Sequence, residues 1–124
     1  MAIIRVQVST SITDREADYN KSVAETAALL QSKGLRNIVR VTHSGVPGIE
    51  VWSLTLFEDW KEYGEKTDEL NADPEMQKWY SQTILNRSGV LLDSFTAAEV
   101  PGFEQGTGLT GDVIAGTVWR TLPQ

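Results

Sequence analysis

The 124-residue chain is 40% hydrophobic and 23% charged, a balance that supports one buried core and leaves too little length for two. Its net charge of −6 argues against nucleic acid or an anionic membrane surface as a partner. With no cysteine it can form no disulfide, thiolate nucleophile or sulfur-ligated metal site, and its single histidine, His43, excludes a histidine dyad or a histidine-rich metal centre.

The chain opens on an alternating run, Ile3 to Ser9, with Ile4, Val6 and Val8 on one side and Arg5, Gln7 and Ser9 on the other, the pattern of a half-buried strand. Thr13-Asp14-Arg15-Glu16 fits a capping box, and helical spacing follows from Asp14 to Lys33. Tyr19, Val23, Ala27 and Leu30 form its inner stripe, on which Asn20 is also placed. Gly34 is suited to end the helix in the left-handed region.

Period two returns from Asn37 to His43, where Val39, Val41 and His43 oppose Ile38, Arg40 and Thr42. Ser44-Gly45-Val46-Pro47-Gly48 supplies turn residues joining this strand to a third, Ile49 to Leu56, in an antiparallel hairpin. Helical spacing through Trp60, Tyr63 and Thr67 leads to Leu70. Asp73-Pro74-Glu75 then reads as a cap, a proline at the first helical position and an acid near the positive end of the dipole. This opens a third helix, or a bent continuation, running to Leu85. A fourth strand runs from Val90 to Val100. Residues 101–112 are Gly-rich, and Val113 to Thr121 has the composition of a fifth strand.

Helix–strand alternation with one hairpin gives an α+β, ferredoxin-like β-α-β-β-α-β order over residues 1–100, followed by a linker and strand over 101–124. Helices would cover one face of the antiparallel sheet. The other face, expected to carry Arg5, Gln7, Arg40 and Thr42 with Ile38, Val51 and Phe95 or Leu92, would then pair with a second copy. The last strand could extend onto the edge of that copy's sheet.

This order resembles the dimeric α+β barrel superfamily, which includes the antibiotic-biosynthesis-type monooxygenases and the NIPSNAP-like proteins. Three features carry the resemblance: the passage Val51-Trp52-Ser53-Leu54-Thr55-Leu56-Phe57-Glu58-Asp59-Trp60, the start Ala72-Asp73-Pro74-Glu75, and the closing strand after Ser88. It implies a homodimer with a pocket between sheet and helices for a small apolar or aromatic molecule. For an enzyme, it implies oxygenation of an electron-rich substrate without a bound redox cofactor. Haem-degrading relatives hold iron by a helix-borne histidine, which this chain lacks. The alternative function is a non-catalytic binding or oligomerisation module.

Trp52, Trp60 and Trp79 are expected as inward-facing aromatics, forming either a core or the wall of that pocket. Asn20, Tyr63, Tyr80 and His43 are the candidate polar groups, and His43 is the candidate base because its ordinary pKa suits neutral pH. Gly106-Thr107-Gly108-Leu109-Thr110-Gly111 matches the dinucleotide pattern literally, but no helical segment follows it to receive a pyrophosphate. No carboxylate pair has acid–base spacing, and no metal site is expected. No apolar run approaches the roughly 20 residues of a membrane span, and the first residues do not read as a signal peptide, so a cytoplasmic location is expected.

Overall fold

A computed structural model of the chain describes residues 2–42 and 49–99. Their order is β1 (Ile3–Ser11), α1 (Glu16–Ser32), β2 (Arg36–Val41), β3 (Val51–Phe57), α2 (Trp60–Ala72), α3 (Pro74–Leu85) and β4 (Gly89–Ala98). The strands form an antiparallel sheet in the order β2-β3-β1-β4. This is the ferredoxin-like arrangement expected from the sequence, with its second helix divided in two. His43, the turn through Gly48, the Gly-rich segment and the expected fifth strand lie outside the described residues.

The division falls at Asp73, whose Oδ1 accepts from the backbone N–H groups of Glu75 (2.8 Å) and Met76 (3.3 Å) while Pro74 occupies the first helical position. The same carboxylate pairs with Lys33 Nζ at 2.9 Å, and Glu75 sits 3.4 Å from that ammonium. The end of α1 is thereby joined to the start of α3. Gly34 ends α1 at φ 82°, with the Leu35 N–H reaching back to the Leu30 carbonyl at 3.2 Å. The capping box expected at Thr13–Glu16 does not form: α1 has no side-chain cap, and Glu16 instead accepts from the Asp14 N–H. A reciprocal arrangement occurs at α2, where Asp59 accepts from the Glu62 N–H and Glu62 from the Glu58 N–H.

Ile38, Arg40 and Phe95 lie on the helix-free face as expected, but the sides of β1 and β3 are reversed. Pairing places Ile3, Arg5, Gln7 and Ser9 opposite Phe57, Thr55, Ser53 and Val51, and aligns Asn37 and Val39 with Thr55 and Ser53. Ile3 and Phe57 pack with Leu35, Leu30, Tyr63 and Leu70 in the core, so this row lies under the helices. The helix-free face carries Ile4, Val6, Val8, Leu54, Leu56, Trp52, Ile38, Arg40 and Phe95. Arg5, Gln7 and Val51 were expected on that face and lie beneath the helices instead. Alternation decides which residues share a side, not which side the helices choose. Polar residues are tolerated here because a cavity separates part of this row from α1.

Strand β4 carries a bulge: Val8 faces Asp93, Ser9 faces Leu91, and Leu92 is the extra residue. Beyond the bulge, Gly89 lies opposite Ser11 and against the ring of buried Tyr19. A Cβ on residue 89 would sit 2.6 Å and 2.7 Å from two Tyr19 ring carbons and 3.1 Å from the Thr10 carbonyl.

Gly89→Ala should therefore destabilise the fold by about 1–3 kcal/mol in urea denaturation, because the stiff ring and a backbone oxygen must both give way. The Lys33 ammonium beside Asp73 holds that carboxyl below the usual carboxylate range, and its bond to Asp73 raises Lys33 in turn. The stabilisation from Asp73 is thus present above the ordinary Asp pKa and lost as pH falls through the depressed one. That from Lys33 is present below the ordinary Lys range and lost on going above it. Asp73→Asn, which keeps a capping oxygen, should lower the unfolding midpoint at neutral pH. The gap to wild type should close below about pH 4, as read by thermal melts across a pH series.

Candidate functional site

Helix α1 crosses the sheet with small residues at its centre. Ser22, Thr26 and Ala27 face a strand row that includes Gln7, Asn37 and Ser53, and none is long enough to fill the gap. The resulting cavity measures about 270 Å³. Val23, Leu30, Val39, Val51, Val90 and Leu91 give it apolar walls, and the turn from Arg87 to Gly89 closes one end. That turn is tied to the β1–α1 connection: the Ile12 N–H donates to the Ser88 carbonyl (2.8 Å) and the Arg15 guanidinium to the Arg87 carbonyl (2.7 Å).

Asn37 supplies the chemistry of the floor. It is 7% exposed, and its Nδ2 donates to Ser53 Oγ (3.0 Å), the Leu54 carbonyl (3.3 Å) and Thr55 Oγ1 (3.1 Å). The Leu54 carbonyl can only accept, which fixes the nitrogen on that side of the amide. Oδ1 is then left buried with no hydrogen-bond partner among the described residues, on a residue that lines the cavity. An acceptor so placed costs about 1–3 kcal/mol unless something donates to it.

At the other end the Tyr19 hydroxyl and Ser9 Oγ lie 2.5 Å apart. Burial pushes the Tyr19 phenol above its ordinary pKa, and the bond to Ser9 offsets part of that rise, so the phenol is neutral at physiological pH. Thr26 links the roof to α3: its hydroxyl donates to the Ser22 carbonyl (2.7 Å) and accepts from Trp79 Nε1 (3.1 Å). The arrangement is an apolar slot lined by Asn37, whose buried oxygen is unpaired, and by one neutral hydroxyl pair. No group of three or more His, Asp or Glu side chains suited to a metal ion occurs among the described residues, and no described helix is long and apolar enough to cross a membrane.

The nominated residues scatter around this cavity rather than lining it. Asn20 is exposed, one position off the inward stripe, and the cavity takes its neighbour Tyr19. Trp52 lies on the helix-free face beside Val8 and Arg40. Trp60 is 54% exposed and Tyr63 is half-buried at the far core, in edge-to-face contact with Phe57 at 5.1 Å. Tyr80 is exposed, while Trp79 reaches the site only through Thr26. His43 lies outside the described residues. Asn37, Ser53 and Gln7 were missed. The signal was present as polar residues recurring at every second strand position, but it reads equally well as a solvent-facing side.

No protein-family model matches the chain, and no curated protein matches it. Solved structures do. A NIPSNAP domain protein from Burkholderia xenovorans superimposes with a TM-score of 0.60 at 13% identity, over 80% of this chain and 95% of its own. A NIPSNAP family protein from Agrobacterium tumefaciens gives 0.56 at 17% identity, over 77% and 82%. SnoaB, a cofactor-independent oxygenase from Streptomyces nogalater, gives 0.55 at 13% identity, over 79% and 92%. At such identities the likeness concerns the fold alone, and by it this chain shares the ferredoxin-like α+β fold of the NIPSNAP proteins and SnoaB.

Proposed function

We propose that the chain binds a small, largely apolar molecule carrying an O–H or N–H donor, with that donor on Asn37 Oδ1. The unpartnered buried oxygen carries this reading, because a ligand donor would relieve a desolvation cost that the protein alone leaves standing. The apolar walls supply most of the contact area, and Tyr19 with Ser9 offers a second, neutral hydrogen-bonding position.

SnoaB, on the same fold, is a cofactor-independent oxygenase, and the corresponding activity here is oxygenation of a carbon acid. In such a reaction a substrate CH₂ becomes C=O, one oxygen atom of O₂ enters the product and the other leaves as water. The substrate itself supplies the electrons. The cavity's part is to exclude water and orient the ring. His43 is the base assigned from the sequence, so His43→Gln should abolish any acceleration of oxygen uptake on the anthrone dithranol.

A second copy on the helix-free face is part of the same proposal. That face is mostly apolar; Phe95 on it is exposed, while Val6, Val8 and Leu56 are already buried within the single chain. Sedimentation equilibrium should give a dimer, and Leu54→Arg should shift the chain toward one subunit.

For the cavity itself, 1-naphthol should bind about five- to tenfold more tightly than 1-methoxynaphthalene, the worth of one neutral hydrogen bond. Asn37→Leu should equalise the two, as read by fluorescence titration. Equal affinities for the wild-type protein would overturn the reading.

A further inference from the structure

We infer that the ligand has two chemically different ends, a ring held in the cavity and an uncharged, hydroxyl-rich substituent, such as a glycosyl group, held in a groove next to it. The inference rests on the binding reading above and extends it from the cavity to the surface.

The groove, about 400 Å³, runs between α1 and the last turns of α3. Ser22, Thr83 and Ser88 line both the groove and the cavity, so the two spaces share a wall made of three small hydroxyl side chains. A molecule occupying both would cross this shared wall of small side chains.

The groove's charges are already matched within it. Arg15 pairs with Asp18 at 3.1 Å and is held further by the Arg87 carbonyl, and Lys21 lies 3.8 Å from Glu25 on the next turn. An ionised substituent would find two cations and two carboxylates already facing each other, with no net charge to meet it. The remaining groups are neutral. Trp79, Gln82, Thr83 and Asn86 recur at three- and four-residue spacing and share one stripe of α3. The carboxamides of Gln82 and Asn86 each offer two donors and an acceptor, and the indole supplies a flat apolar side. Paired amides beside an aromatic ring suit the mixed hydroxyl and C–H surface of a polyol, and suit neither a carboxylate nor an alkyl chain.

Three probes with the same phenol separate the possibilities: 4-methoxyphenol, 4-hydroxyphenyl β-D-glucopyranoside and 4-hydroxyphenylacetate. Binding is followed on ¹⁵N-labelled protein through the Trp79 indole N–H and backbone signals. The glucoside should bind about tenfold more tightly than 4-methoxyphenol and shift the Trp79 indole signal, with 4-hydroxyphenylacetate gaining nothing. Gln82→Ala with Asn86→Ala, both at exposed positions, should remove the glucoside's advantage and leave 4-methoxyphenol unchanged. Either single substitution should remove part of it. Failure of all three probes to bind would remove the cavity reading itself. Binding of 4-methoxyphenol with no gain for the glucoside, a gain for the acetate instead, or an advantage that survives both substitutions would overturn this inference and leave the cavity reading standing.

Discussion

Helix α1 is fastened to the sheet at its two ends and held away from it between them. Toward its C-terminus Leu30, with Leu35 just beyond, packs on Ile3 and Phe57. The Lys33–Asp73 pair fixes the same end against α3. Toward its N-terminus the Tyr19 ring lies on Gly89, with its hydroxyl on Ser9. The residues that line the cavity in the span between are Ser22, Val23, Thr26 and Ala27, all too short to fill it. The cavity is therefore a result of side-chain sizes on a helix whose height is set at both ends. It accounts as well for the polar row beneath the helix, since Gln7, Ser53 and Asn37 border a space that water or a ligand can enter rather than a dry interface.

Much of this was legible from residue patterns. Helix α1, its end at Gly34, the Asp73-Pro74 start and the ferredoxin-like order follow from local chemistry that few tertiary contacts can override: capping oxygens, a proline ring, a left-handed glycine. The sidedness of the sheet was not. In β1 the two alternating sets are Ile4, Val6 and Val8 against Arg5, Gln7 and Ser9, and the habitual choice turns the apolar set toward the helices. This fold does the reverse, with the apolar row on the helix-free side. Trp52 falls on the other side of the sheet for that reason, whereas Asn20 lies one residue off the inward stripe of α1. The inward stripe Tyr19, Val23, Ala27 and Leu30 was right, and it is the stripe that roofs the cavity.

The Asn37 amide illustrates how a fold can carry an incomplete hydrogen-bond set. Its nitrogen joins β2 to β3 through three oxygens and so contributes to the sheet, while its own oxygen is left without a donor. An apolar residue of similar volume would avoid the desolvation cost but would leave Ser53 and Thr55 without their amide donor. The floor is thus polar by mutual dependence. The donor preference proposed for the cavity rests on that feature and not on fold likeness.

The bulge in β4 divides the strand into two halves that could in principle slide separately, since an extra residue such as Leu92 can be accommodated at neighbouring positions. Gly89 removes that freedom. The position opposite Ser11 faces the Tyr19 ring whichever residue occupies it, and a slip of one step would bring Val90 there, where no Cβ fits. One missing methyl group thereby acts as an index mark for the whole edge strand. It favours the observed alignment over a slip of one step.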